Sequence, residues 1–282
     1  MTEQNSAPLD VRGLCKYYTG FRLENVSFRL EKGTITGFIG RNGAGKTTTL
    51  QSILGFVRPD GGEVSFSGRS MAEDAAGIKR EIGFVSAGMQ YYTQKKLRTI
   101  TQVCASFYPG WDEETYRRYM ASFGLDESKT PAALSNGMKI KYALALALSH
   151  GARLLLLDEP TSGLDPVSRE ELIEIFLALR DEGKTIFFST HITADLEKCA
   201  DRIIFLRQGR ILHDRPYGDY AAYRLKTCAG EIPDALRRKA LGICRARDGA
   251  TVLLRAEDAD GEERIATLDE VMVHLEKGGQ DA

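Results

Sequence analysis

A glycine-rich loop between a predicted strand and a predicted helix restricts the possible fold and ligand of this chain more than any other feature of its sequence. The strand covers residues 34–39, the loop fits the pattern G-x-x-x-x-G-K-[ST], and Leu50 and Ile53 lie on the following helix. Glycines let backbone N–H groups converge on phosphate oxygens, and the helix N-terminus adds a positive dipole end. We therefore expect a nucleotide here; the alternative is an ordinary glycine-rich turn with a chance lysine.

Two side chains of this phosphate loop have chemistry suited to a triphosphate and its metal ion. Lys46 supplies a mobile positive charge for the β- and γ-phosphates. Thr47 offers a hydroxyl to Mg²⁺, which keeps most of its waters and takes few protein ligands. The predicted loop comprises Gly40, Arg41, Asn42, Gly43, Ala44, Gly45, Lys46, Thr47 and Thr48.

Composition argues against several classes of protein. The 282 residues carry a net charge of −1, so no global basic field favours a nucleic-acid partner. Five scattered cysteines without a C-x-x-C pair favour reduced thiols over disulfides or zinc. The polar start of the chain predicts no signal peptide, and the most apolar region, residues 142–157, is shorter than the ~20 apolar residues of a membrane helix. We expect a soluble chain of about two domains.

Two carboxylates follow a run of four leucines. Residues 153–157 predict a strand buried on both faces of a parallel sheet, and ligands bind at the carboxyl ends of such strands. There, Asp158 is placed to hold the water shell of Mg²⁺ and Glu159 to take a proton from a water molecule. His191, after the apolar strand of residues 184–189, is a candidate hydrogen-bond donor to the γ-phosphate. The alternatives are surface carboxylates and a packing histidine.

A second helix start carries phosphate-binding chemistry. Ser135 can cap the helix that follows it, and Gly137 exposes a backbone N–H, so this helix start is a second candidate phosphate site. Capping alone is the alternative. Near the start of the chain, the ring of Tyr18 is a candidate for stacking on a purine, or is a plain surface or core tyrosine.

The rest of the chain predicts an α/β domain with two additions. The main domain covers residues 1–225, with a mostly helical subdomain at about residues 90–150. Its segment 107–112 is either a docking surface or part of a plain helical core. Residues 226–282 predict a small α+β appendage, which is either a regulatory ligand sensor or a packing element.

Taken in order, these stretches resemble the ATP-binding cassette (ABC) ATPase family over roughly residues 9–223. The phosphate loop alone occurs in many nucleotide-binding families, but its combination with the later motifs is specific. Residues 134–139 and 107–112 are most similar to bacterial subunits that pair with membrane permeases in export of antibiotics, peptides or lipids. The later motifs are Leu134-Ser135-Asn136-Gly137-Met138 (the signature), Asp158-Glu159, Ser162-Gly163-Leu164-Asp165 and Thr190-His191.

The resemblance implies a fold with a mixed-sheet core, a helical subdomain and an N-terminal antiparallel β subdomain. It also implies an ATP- and Mg²⁺-dependent dimer of this chain, or a heterodimer with a related cassette, in which two chains close head to tail on two ATP molecules. Ser135 and Gly137 of one chain would complete the site of the other, with Asp165 at the shared seam. The other implied roles are adenine stacking for Tyr18, a phosphate cradle for Gly40–Thr48, a Mg²⁺ carboxylate for Asp158, the catalytic base for Glu159 and a γ-phosphate sensor for His191.

The chain departs from the family pattern in two places. After the strand of residues 82–85, Ala87 stands where the family often has Gln or Glu, and Gln90, three residues on, is a candidate metal ligand. In the signature, Asn136 and Met138 replace the more frequent Gly and Gln, while the serine hydroxyl and the second glycine are kept.

These observations favour the ATPase subunit of a membrane exporter that drives a separate integral-membrane permease. Such a chain would lie at the cytoplasmic face of the membrane through the permease and be cytosolic when free. The alternative is a soluble ABC ATPase linked to translation or DNA. The chain has one cassette, no long coiled coil between its motifs and no basic run, which favours the transporter.

Overall fold

The computed structural model describes residues 6–86, 92–247 and 249–278. Its strands are β1 (Asp10–Tyr18), β2 (Phe21–Arg29), β3 (Ile35–Ile39), β4 (Gly61–Phe66), β5 (Arg69–Ser70), β6 (Ile82–Ser86), β7 (Leu154–Asp158), β8 (Thr185–Thr190), β9 (Arg202–Arg207), β10 (Arg210–Pro216), β11 (Tyr223–Cys228), β12 (Gly242–Ala246), β13 (Gly249–Arg255) and β14 (Arg264–Ile265). Its helices are α1 (Lys46–Ile53), α2 (Met71–Glu81), α3 (Leu97–Ser106), α4 (Glu113–Ser122), α5 (Asn136–Ser149), α6 (Pro166–Asp181), α7 (Thr193–Cys199), α8 (Asp234–Lys239) and α9 (Leu268–Gly278).

A six-stranded sheet in the order β10-β9-β3-β8-β7-β6 forms the centre of the first compact unit. Strands β6, β7, β8, β3 and β9 pair in parallel, and β10 joins as an edge strand through the turn at Gln208 and Gly209. Every residue of β3, β7 and β8 is buried, because both faces of the sheet are covered. The leucine run therefore forms the buried parallel strand that its sequence predicts.

An antiparallel sheet in the order β2-β1-β4-β5 packs against this centre. In β2, Val26 and Phe28 are buried while Ser27 and Arg29 between and beyond them are exposed, as the alternating pattern predicts. The ring of Phe28 stacks on Phe187 of β8 with their centroids 5.2 Å apart. The N-terminal β subdomain thus shares one hydrophobic core with the central sheet.

The predicted helical subdomain contains α3, α4 and α5. Asp112 caps α4 by accepting hydrogen bonds from the N–H groups of Glu114 and Thr115, as its position predicts. The hydroxyls of Tyr116 and Tyr142 both lie within 2.9 Å of the Thr101 hydroxyl in the interior. This shared polar contact joins one side chain from each of the three helices.

The chain divides into two compact units between Asp214 and Arg215. The second unit has a sheet in the order β12-β13-β11-β14, with α9 packed on β12 and β13. The sequence predicts helices over residues 233–240 and 268–277 and strands over 251–255 and 264–267, which correspond to α8, α9, β13 and β14, but it does not predict β11 or β12. The domain boundary between residues 225 and 226 stays a prediction. Among the described residues, no helix combines the length and the apolarity that a membrane crossing requires.

Candidate active site

Three neighbouring strands end at one edge of the central sheet and carry the predicted site residues there. The register pairs Ile39 of β3 with Thr190 of β8, and Asp158 of β7 with Ser189 of β8. The phosphate loop follows Ile39 directly, and His191 follows Thr190. The parallel pairing therefore brings the phosphate loop, the two carboxylates and the histidine to the same edge.

The phosphate loop requires glycine at two positions for different reasons. Gly45 caps α1 with a left-handed backbone (φ 110°), and a Cβ there would lie 2.7 Å from the ring of Phe21. At Gly40 a Cβ would lie 2.4 Å from the carbonyl oxygen of Leu206. Larger residues at either position would displace the loop, so the motif glycines are dictated by the space around them.

Lys46 lies at the centre of the edge. Its side chain is only 6% exposed, and its Nζ donates to the carbonyl oxygen of Gly40 at 2.7 Å. The same ammonium lies 3.1 Å from Oε1 of Glu159, whose Oε2 lies 2.8 Å from Nδ1 of His191. Three predicted catalytic side chains are thus in direct contact through one carboxylate.

Glu159 has an unusual backbone. Its φ is +51°, a left-handed conformation that costs a residue with a side chain about 1–2 kcal/mol. The conformation is held by two hydrogen bonds from the Glu159 N–H, to the carbonyl oxygen and to the hydroxyl of Ser189, each at 3.1 Å. The result is a carboxylate turned toward the phosphate loop instead of along the strand.

Asp158 is buried between two hydroxyls. Its Oδ1 accepts a hydrogen bond from Ser189 Oγ at 2.7 Å and lies 3.3 Å from Thr47 Oγ1. Ser189 was not among the predicted site residues. Only the pairing of β7 with β8 shows that its hydroxyl serves both Asp158 and the backbone of Glu159.

A second group of predicted residues lies together elsewhere in the first unit. Ser135 caps α5 by accepting from the Met138 N–H, and a Cβ on Gly137 would lie 3.5 Å from Cβ of Ser168. Asp165 caps α6 and accepts hydrogen bonds from the Ser168 hydroxyl and N–H, which hold the pKa of this carboxyl below its ordinary value. Within the described residues, no hydrogen bond or ion pair joins this group to the phosphate loop.

Tyr18 lies at the end of β1, with its ring about half exposed. It pairs across the hairpin with Phe21, whose ring lies against Gly45 of the phosphate loop. The ammonium of Lys16 lies 5.5 Å from the centre of the Tyr18 ring. Gln90 and Ala87 lie outside the described residues, and the metal contact of Gln90 stays a prediction.

Comparison with known proteins identifies the family of this chain. The ABC transporter family model matches residues 23–162. The lantibiotic transport ATP-binding protein SrtF of Streptococcus pyogenes is 34% identical over 213 residues, which cover 74% of this chain and 91% of that protein. The chain belongs to the ABC transporter ATP-binding family. Members of this family bind and hydrolyse ATP to drive transport, and the predicted family and fold class are confirmed.

Other relatives of this ABC protein are bacterial as well. The bacitracin transport ATP-binding protein BcrA of Bacillus licheniformis is 31% identical over 198 residues, which cover 69% of this chain and 65% of that protein. A solved structure of the ATP binding subunit of an ABC transporter superposes with a TM-score of 0.68 at 31% identity, covering 75% of this chain and 91% of that one. The chain spans only 59% to 65% of the length of several relatives that it matches.

Replacing Ser189 with alanine in this ABC protein tests the one site residue that its motifs do not reveal. The substitution leaves the buried Asp158 carboxylate without its 2.7 Å hydrogen bond, which should lower the free energy of unfolding by about 1–3 kcal/mol. We expect ATP turnover to fall roughly tenfold, since each 1.4 kcal/mol of lost orientation at the site is a factor of ten. Thermal unfolding and steady-state turnover measure the two effects.

Ser149→Ala is the matched control for Ser189→Ala. Ser149 is equally buried and donates to the Ala145 carbonyl oxygen at 2.6 Å, at the C-terminal end of α5. The Ser149→Ala variant should have a lower free energy of unfolding but the ATP turnover of the wild type. Equal turnover in the two variants would contradict a site role for Ser189.

Proposed function

We propose that this chain binds and hydrolyses Mg-ATP as a dimer and thereby drives a separate membrane permease in export. The observation that carries the proposal is the contact of Lys46, Glu159 and His191 beside the phosphate loop. Phosphoryl transfer to water uses a cation on the phosphates and a residue that orients or deprotonates the attacking water, and the ammonium and the carboxylate are suited to these two tasks.

Each side chain has one chemical task in this proposal. Lys46 and the backbone N–H groups of Gly40–Thr48 bind the β- and γ-phosphates and balance their charge. Glu159 accepts the proton of the attacking water. The carboxylate lies beside Lys46 and therefore at the phosphate end of the site. His191 donates to the γ-phosphate and, through its contact with Glu159, orients the base. Tyr18 stacks on the adenine.

The residues at this edge fit Mg²⁺. Thr47 Oγ1 and Asp158 Oδ1 are hard oxygen donors 3.3 Å apart, close to the separation of about 3 Å between adjacent ligands of an octahedral Mg²⁺. Within the described residues there is no cluster of three or more His, Cys, Asp or Glu that would form an all-protein metal cage. Thr47 and Asp158 would therefore hold a hydrated ion that also contacts phosphate, with Gln90 as a further candidate; such an ion neutralises charge that develops on the phosphates.

The second group of predicted residues supports a dimer. Ser135 and Gly137 stand at a helix N-terminus, where orphan N–H groups favour an anion, yet they do not contact the phosphate loop of their own chain within the described residues. We infer that they bind the γ-phosphate held by a second copy or by a related cassette, with Asp165 at the seam. Closure on ATP and loosening after hydrolysis would then move the permease.

Export through an integral-membrane permease is the transport role that the relatives and the surface of the helical subdomain favour. The relatives are described as transport proteins for lantibiotics and bacitracin and as Nod factor export proteins. In the helical subdomain, Phe107 and Val103 are exposed apolar side chains, as expected of a surface that docks on another protein. The chain would then lie at the cytoplasmic face of the membrane through the permease. Residues 1–225 would form the ATPase domain, and residues 226–282 a packing appendage.

Mixing two inactive variants tests the dimer directly. At an ATP concentration well below the raised Kd of the variant, Lys46→Ala disables the phosphate-loop half of a site, and Ser135→Arg disables the half that a partner contributes. Half of the dimers in an equimolar mixture contain one chain of each kind, and each of these has one intact site out of two. We expect the mixture to recover about a quarter of wild-type turnover, although each variant alone is inactive.

A mixture of Lys46→Ala with Glu159→Gln is the control, because both changes fall in the same half of the site. No pairing of these two chains creates an intact site, so this mixture should stay inactive. Recovery in the control mixture, or none in the test mixture, contradicts the shared-site dimer.

A further inference from the structure

An ion pair between a buried carboxylate and a partly exposed arginine lies where the loops of the site join the body of the protein, on residues that the proposed mechanism does not use. Asp195 of α7 is 2% exposed, and its Oδ1 lies 3.8 Å from Nε of Arg169 on α6. Thr161, which is fully buried, faces the same carboxylate. We call the cluster of Thr161, Arg169 and Asp195 the junction.

Each junction residue closely follows a residue of the proposed site. Asp195 comes four positions after His191, and Thr161 two positions after Glu159. Arg169 follows Asp165 by one helical turn, and its Nη2 lies 3.4 Å from the carbonyl oxygen of Leu164, the residue before Asp165. The junction therefore connects the γ-phosphate sensor, the base and the dimer seam through side chains that touch none of the phosphate-binding groups.

The junction is incompletely hydrogen-bonded. Within the described part of the chain, Arg169 Nε has no hydrogen-bond partner, and the Thr161 hydroxyl lies beside the Asp195 carboxylate without a hydrogen bond of good geometry. Buried polar atoms are nearly always paired in good geometry, so the loose pairing here indicates a cluster that is not optimised for stability alone. Arg169 Nε lies 3.8 Å from Asp195 Oδ1, about 1 Å beyond hydrogen-bonding distance, so the two side chains form an ion pair without a direct hydrogen bond through this nitrogen.

Burial disfavours the charged form of Asp195. It raises the pKa of this carboxyl, while the Thr161 hydroxyl and the positive charges of Arg169 and Lys198 lower that pKa by a smaller amount. A buried carboxylate that keeps its charge needs its cation, and removing either partner leaves the other uncompensated. The two helices are also joined at the surface by an exposed pair, Lys198 with Glu170.

We propose that Asp195 and Arg169 are positioning residues that couple the loop of His191 to the loop of Glu159 and Asp165. The inference deepens the proposed function, on which it rests. When the seam at Asp165 moves, Arg169 moves with it and pulls on Asp195, which fixes the start of α7 just after His191. The histidine then meets the γ-phosphate only when the seam is closed.

The test is Asp195→Asn in the full chain, which keeps the shape of the side chain and removes its charge. We expect kcat to fall roughly tenfold, in the range of measured couplings between neighbouring elements. The Kd for ATP should be unchanged, because no junction residue belongs to the phosphate loop. Arg169→Gln should behave in the same way, and Arg169→Lys, which retains the charge beside Asp195, should recover most of the loss in kcat.

Glu170→Gln is the matched control, since it removes the exposed ion pair between the same two helices. Its kcat and thermal midpoint should stay close to those of the wild type. Thermal midpoints of all variants are measured first, and kcat is compared well below the lowest of them. This design separates a coupling role from a general loss of packing between α6 and α7.

Two outcomes overturn the inference. Wild-type kcat in Asp195→Asn contradicts the positioning role, and so does an equal loss in kcat and in ATP affinity, which indicates general damage to the fold. In both cases turnover by the wild-type chain leaves the ATP hydrolysis of the proposed function uncontradicted. Absence of Mg-ATP turnover in the wild type contradicts the proposed function itself, and the inference falls with it.

Discussion

Glu159→Gln is expected to lower Mg-ATP turnover by about 10²–10⁴-fold, the range for loss of a positioned general base. Glutamine has the same shape, so it can keep the left-handed backbone and the contacts with Lys46 and His191. It cannot accept the proton of the attacking water. ATP should therefore bind and remain uncleaved, and the chain should accumulate as an ATP-bound dimer.

Turnover is measured by phosphate release, and the dimer by light scattering after gel filtration with ATP. Glu182→Gln is the matched control, because Glu182 accepts a hydrogen bond from the Tyr119 hydroxyl at 3.1 Å at the far end of α6. That variant should turn over ATP normally and not accumulate as a dimer. Undiminished turnover in Glu159→Gln removes this residue from the role of base.

The motifs locate most of the candidate site because a parallel sheet leaves little freedom in where the ends of its strands lie. Once the phosphate loop, the leucine run and the strand before His191 are assigned to one parallel sheet, their carboxyl ends must meet at one edge. The contact of Lys46 with Glu159 at 3.1 Å follows from that placement. The roles assigned to these side chains are predictions, which the turnover measurements on the variants test.

The features that the sequence does not reveal depend on register and on side-chain direction. Ser189 ends an apolar strand and has no motif of its own, yet the register places its hydroxyl on Asp158. The left-handed backbone of Glu159 is equally hidden, since glutamate does not signal such a conformation in a sequence as glycine or asparagine does. The ion pair of Arg169 with Asp195 joins residues from different helices, so no local pattern predicts it.

Lys46→Ala is expected to weaken ATP binding by about 10–100-fold, which corresponds to the loss of one hydrogen-bonded charge on phosphate. The ammonium is 6% exposed and is held by the Gly40 carbonyl and Glu159, so little ordering is needed before it meets a ligand. Alanine also leaves Glu159 facing the phosphates without its cation, and this repulsion adds to the loss. Titration with a fluorescent ATP analogue measures the Kd.

Lys184→Ala separates this effect from the loss of any half-buried lysine. Lys184 also donates to a backbone carbonyl, that of Ala152 at 3.1 Å, and burial lowers the pKa of its ammonium. It precedes β8 at the amino end of the sheet, the edge opposite the phosphate loop. We expect normal ATP affinity in this control. Of these two lysines, only Lys46 lies in the phosphate loop. Wild-type ATP affinity in Lys46→Ala would therefore show that the triphosphate binds somewhere else.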